Sequence, residues 1–97
     1  MVYNVSQIKT MLTPVFNNYK INKAILFGSY SKGLETENSD VDILVDSNLR
    51  GLSFYGLLND IVEVLDKEVD LFDYRQFDSS SPLFKEIIEK GVTLYEK

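Results

Sequence analysis

The chain is 97 residues long and contains neither cysteine nor histidine. That composition excludes disulfides, thiol nucleophiles, zinc sites of the Cys/His type and every catalytic triad that uses imidazole as its base. Ten basic residues against fifteen acidic ones leave a net charge of −5, the wrong sign for a broad basic grip on a phosphate backbone, so stable duplex binding is not expected.

A length near 100 residues supports one hydrophobic core, so residues 1–97 are read as a single domain. Ile8, Met11, Leu12, Val15, Phe16 and Tyr19 recur at the spacing of a helix with one apolar face, with Asn4 or Ser6 as its cap. Pro14 lies inside that pattern and removes a backbone donor, which predicts a kink or a split. Lys23 to Phe27 is a short apolar run ended by Gly28 and reads as a strand buried on both faces. Leu34 to Ser39 is polar and turn-like.

The periodicity then changes. In Asp40 to Val45, Val41, Ile43 and Val45 alternate with Asp40, Asp42 and Leu44, the period of a strand, so both aspartates point to one face. A second helix follows, capped by Ser53, with Phe54, Leu57, Leu58, Ile61 and Leu65 as its stripe. Glu68 to Phe72 predicts a third strand that sets Asp70 opposite Val69 and Leu71. Ser81 and Pro82 open a third helix, Gly91 closes it, and Val92 to Tyr95 forms a last short strand. These elements make an α+β fold, a small mixed sheet of four strands backed by helices. The longest wholly apolar stretch, the four residues Ala24 to Phe27, falls far short of the roughly 18 needed to cross a bilayer. Met1 to Lys9 has no apolar run behind a basic start, and a cytoplasmic location is expected.

Two aspartates two apart on a strand project from one face about 7 Å apart at the backbone, a natural pair of ligands for a hard cation. Magnesium prefers one or two carboxylates together with phosphate oxygens and water, so the pair implies a phosphate-bearing ligand. Asp70 completes the group if its strand lies beside Asp40 to Val45. Three clustered carboxylates repel one another unless cations compensate, which makes the cluster a poor structural device. Gly28-Ser29 stands where a strand ends and a helical turn would begin, so the backbone can approach a ligand and free N–H groups can meet phosphate. Ser29 adds a hydroxyl, and Lys32 a mobile positive charge.

Each piece alone has a plainer explanation: an edge strand's solvated face for Asp40 and Asp42, strand punctuation for Gly28-Ser29, a charged surface strand for Asp70. Their joint spacing is what points to chemistry. Calcium-loop, Walker and dinucleotide-binding patterns all fail on spacing. Tyr3, Tyr19, Tyr55, Tyr74 and Tyr95 read as core or rim packing, Phe27 and Phe72 as walls beside the site, and Arg50 and Arg75 as solvated surface.

Gly28-Ser29-Tyr30-Ser31-Lys32-Gly33, then Ser39-Asp40-Val41-Asp42-Ile43-Leu44-Val45, then Val69-Asp70-Leu71, resembles the minimal nucleotidyltransferases of the polymerase-beta superfamily. The likeness covers nearly the whole chain and implies a mixed sheet backed by helices. By resemblance, Asp40 and Asp42 bind two magnesium ions, and Asp70 binds one of them while helping to activate an attacking hydroxyl. Gly28, Ser29 and Lys32 hold the triphosphate of ATP. Many relatives have Ala-Arg-Gly where this chain has Ser31-Lys32-Gly33, so the charge is kept and the bidentate guanidinium contact is not. The resemblance further implies an antitoxin that transfers AMP to a tyrosine of a HEPN-type ribonuclease toxin. Neutralisation by docking alone over a vestigial nucleotide site, and transfer to a small molecule, are the alternatives.

Overall fold

The computed structural model describes residues 3–28 and 40–97. Its elements in chain order are α1 (Val5–Tyr19), β1 (Lys23–Phe27), β2 (Val41–Asp46), α2 (Leu52–Leu65), β3 (Val69–Asp73), a 3-10 turn (Tyr74–Gln76), α3 (Pro82–Lys90) and β4 (Val92–Glu96). The four strands form one sheet in the order β3-β2-β1-β4. β1 runs antiparallel to both β2 and β4, and β2 runs parallel to β3. The parallel pair requires a crossover, which α2 supplies. No helix among the described residues is long and apolar enough to cross a membrane.

Strand alternation divides the core between the sheet's two faces. Ile8, Leu12 and Phe16 of α1 and Leu57, Ile61 and Leu65 of α2 lie fully buried against Ala24, Leu26, Val41, Ile43 and Val45. The other face carries a smaller cluster, Ile25, Leu44 and Ile87, flanked by the half-buried rings of Phe27, Phe72, Tyr74, Phe77 and Phe84. The β1–β4 register shifts between Ala24 and Ile25, and both Leu94 and Tyr95 pack with the α1 side.

Several boundaries depart from the sequence reading. α1 runs unbroken through Pro14 from an Asn4 capping box, in which Gln7 N donates to Asn4 Oδ1 at 2.8 Å. A mid-helix proline costs about 3 kcal/mol, but three buried side chains stabilise by about 1.5–3 kcal/mol apiece. Pro14 and Thr10, whose carbonyl loses its donor, are both on the exposed side, where water can replace the bond. α2 begins one residue before Ser53, with Gly51 at the cap position and no side-chain capping bond. β3 is shifted one residue later than expected, because Asp73 is drawn into the sheet by partners distant in sequence.

Candidate functional site

The acids assemble through strand register. Asp42 on β2 is the direct neighbour of Asp70 on parallel β3, and Phe27 of β1 is the neighbour of Asp42 on the other side. β2 is therefore an inner strand, which removes the explanation of Asp42 as the solvated face of an edge. Asp40 stands just ahead of β2 and is exposed, as is Asp70, whereas Asp42 is half-buried.

The cost of this arrangement is concentrated on one group. Burial pushes the Asp42 carboxyl up to about 6, and the negative charge of Asp70, a hydrogen bond with Asp70 and the charge of Asp40 push in the same direction. Asp42 therefore keeps its proton to a higher pH than an ordinary carboxyl does. A hard divalent cation is the counter-charge that the all-oxygen Asp42–Asp70 pair would accept in place of the proton. Among the described residues no three carboxylates are gathered into a cluster, and Asp40 bears on Asp42 through its charge.

Gly28 follows β1 with φ +73, a backbone state that an L side chain adopts only under strain. A methyl group there would overlap Asp42 Oδ2 and lie 3.2 Å from Asp42 Cγ. Glycine is thus required twice at this position, once for the turn and once for the approach of the backbone to the carboxylate. Ser29 and Lys32, expected beside it, lie outside the described residues, as does the turn-like stretch before Asp40.

Rings occupy the same sheet face as the acids. Phe72, two residues after Asp70, packs on Phe27 with ring centroids 5.9 Å apart, and Phe77 continues the row at 6.1 Å from Phe72. Beside Gly28, between the end of β1 and α3, is a cleft of about 240 Å³ bordered by Phe27, Leu83 and Ile87.

The opposite end of β2 and β3 holds a polar cluster that sequence reasoning missed. Asp73 is buried and accepts hydrogen bonds from Ser47 Oγ, from Arg75 N at 3.1 Å and from Arg75 Nε at 3.3 Å. Arg75 also donates to the carbonyl of Leu49, and Leu49 N donates to Ser47 Oγ at 3.1 Å. Arg75 lies at the exposed surface as expected, and there it also braces the β2–α2 connection against the 3-10 turn. The Asp73-x-Arg75-Gln76 spacing of a capped turn was the available signal, since Asp73 N also donates to Gln76 Oε1 at 2.7 Å. Tyr3 and Tyr19 pack as expected, the latter donating to Asp60 Oδ2 at 2.7 Å, whereas Tyr55 is 65% exposed.

The geometry agrees with the relationships of the chain. Residues 10–97 match the family described as polymerase beta nucleotidyltransferase. MJ0435 of Methanocaldococcus jannaschii, named as a protein adenylyltransferase, is 36% identical over 88 residues, 88% of this chain and 90% of that protein. The protein adenylyltransferase MntA of Shewanella oneidensis is 35% identical over 78 residues, 78% of this chain and 55% of that longer protein. A crystal structure of a toxin–antitoxin with AMP-PNP superposes with a TM-score of 0.73 at 29% identity, over 92% of this chain and 73% of that one. An acid pair beside a glycine turn on this sheet, within a match of this extent, means that the chain belongs to the polymerase beta nucleotidyltransferase family.

Proposed function

We propose that this protein transfers AMP from ATP, with magnesium, to a tyrosine hydroxyl of a HEPN-type ribonuclease toxin, and so acts as its antitoxin in the cytoplasm. The observation that carries the reading is the Asp42–Asp70 carboxylate pair on adjacent strands, set directly against the side-chain-free Gly28. Relatives named as protein adenylyltransferases support AMP as the group transferred, and the toxin–antitoxin neighbour with AMP-PNP supports both the nucleotide and the kind of partner. The net charge of −5 suits a basic nuclease as that partner.

Asp40 and Asp42 would hold two magnesium ions, with Asp70 sharing one. Magnesium, when bound, supplies charge compensation and Lewis-acid polarisation at the α-phosphate. Gly28 lets the backbone approach the triphosphate, while the Ser29 hydroxyl and the Lys32 ammonium hold its oxygens. An Asp70 carboxylate oxygen accepts the proton as the acceptor hydroxyl attacks. The acceptor oxygen forms a bond to the α-phosphorus, the bond from that phosphorus to the bridging oxygen breaks, and pyrophosphate leaves with the electron pair.

Incubation with magnesium, ATP and a HEPN-type ribonuclease toxin should add AMP to that toxin, as read by intact mass. Retention of the mass increment after Asp40→Asn and Asp42→Asn together would refute the reading. The Ser31-Lys32-Gly33 departure favours a second reading, docking without transfer over a vestigial nucleotide site. Neutralisation that survives Asp42→Ala and removal of nucleotide would select it.

A further inference from the structure

We infer that the cleft between the end of β1 and α3 is the acceptor subsite, which receives the aromatic ring of the tyrosine that is to be modified. The assignment rests on the transfer reaction proposed above and adds to it the place where the acceptor sits.

Position is the first ground. Gly28 borders the cleft, and the same residue lies against the Asp42 carboxylate, so one residue joins the cleft to the acids. Among the described residues no side chain of Gly28 separates the two. A ring in the cleft could therefore extend its para oxygen past the glycine toward the carboxylate pair.

Size is the second. Pockets that enclose a drug-sized ligand run to roughly 300–1,000 Å³. A cleft of about 240 Å³ suits one side chain and is too small for a nucleoside triphosphate.

Chemistry is the third, and it separates an acceptor ring from a nucleobase. The walls are Phe27, Leu83 and Ile87, with Gly91 adding only backbone. A purine carries several ring and exocyclic polar atoms, each of which loses water on entering apolar walls and requires a partner there. A phenol carries one polar atom at its far end, and its faces are satisfied by contact with Phe27 and the aliphatic chains. Glu86 and Lys90 supply polar groups from α3, the outer side of the cleft, where a protein acceptor would rest.

The exposure of α3 agrees with a macromolecular acceptor. Leu83 borders the cleft and is 52% exposed, and Ile88 on the same helix is 41% exposed. Ile87 is the one buried residue of this helix. The apolar rim is thus continuous with the cleft, so the surface that contacts the toxin and the subsite that takes its tyrosine would be parts of one face.

The test is an NMR titration of the isotope-labelled full chain with N-acetyl-L-tyrosinamide, with and without magnesium and AMP-PNP. Tyrosinamide should shift the amides of Phe27, Gly28, Leu83 and Gly91 more than N-acetyl-L-serinamide does, and the shifts should persist when the nucleotide analogue is present. Leu83→Asp, at an exposed position that the fold tolerates, should abolish the tyrosinamide shifts and leave those caused by AMP-PNP at Val41 and Asp42. Displacement of tyrosinamide by AMP-PNP would overturn the assignment by placing the nucleotide in the cleft. Absence of any cleft response up to the solubility limit of tyrosinamide would overturn it as well. If AMP-PNP fails to shift Val41 and Asp42 while tyrosinamide still shifts the cleft, it is the nucleotide-transfer reading that falls, and the aromatic subsite stands.

Discussion

The two faces of the sheet are built from opposite kinds of contact. On one, two long helices bury Ile8, Leu12, Phe16, Leu57, Ile61 and Leu65 completely. On the other, among the described residues, the nine-residue α3 buries Ile87, and the acids and half-buried rings lie beside it. A domain of this size buries only roughly 60–65% of its unfolded surface, so it has little core to give away. Placing the dense packing on one face leaves the other free to hold like charges together, a local cost that the α1–α2 side offsets.

This division yields expected outcomes that would break or sharpen it. The largest concerns chemistry: Asp70→Asn should lower AMP transfer by about 10²–10⁴-fold, the range for loss of a general base. In the metal-free protein at pH 7.5 the same substitution should raise the melting temperature, because it removes the charge that faces Asp42. A melting temperature that falls would show that the acids contribute to stability and would erase the contrast between the faces.

Phe16→Ala is the counterpart on the other face. It should cost about 3–5 kcal/mol through lost burial and a residual cavity, measured by urea denaturation, and in whatever fraction remains folded the AMP-PNP shifts at Val41 and Asp42 should be retained.

Gly28→Ala should be smaller in stability, about 1–2 kcal/mol from the left-handed backbone alone, with the overlap on Asp42 added. The double variant Gly28→Ala, Asp42→Ala should recover the overlap portion, so the two substitutions should be non-additive in a thermal-denaturation cycle. Strict additivity would mean that the glycine and the carboxylate are not in contact in solution.

The smallest effect is in pH. Asp42 titrates near 6 in the folded chain, above the ordinary carboxylate value of 3.8, so the folded state binds more protons than the unfolded one between those values. Its contribution to stability is therefore present below about 4 and is lost as pH rises toward 6. A melting curve without metal should show this decline, Asp42→Asn should flatten it, and millimolar magnesium should oppose it by replacing the proton. A contribution that grows with pH across the same window would reverse the sign and exclude a raised Asp42 carboxyl.

Much of this was legible in the order of residues. The alternation of Asp40 to Val45 placed Asp42 and Leu44 on one face and Val41, Ile43 and Val45 on the other, because the pleat has a period of two whatever the neighbours are. Ser81-Pro82 and Gly91 bounded α3 because caps act within one turn. The errors came where tertiary contacts outweighed local rules. Pro14 was expected to kink or split α1, but the helix is continuous from Val5 to Tyr19, with Ile8, Leu12 and Phe16 buried along one side. Arg75 is surface as read, but its bonds to Asp73 and to the Leu49 carbonyl at the end of β3 were not foreseen.

The sequence by itself determined which groups could take part: two aspartates on one face of a strand, a third on another strand, and a glycine at a strand end. Those are consequences of backbone geometry over a few residues. Only the tertiary structure decided that Asp70 faces Asp42, since a parallel register is set by how α2 crosses over the sheet. The same holds for the raised Asp42 carboxyl and for the contact that forbids a side chain at Gly28. Both depend on through-space distances between residues far apart in the chain, and no local period encodes such distances.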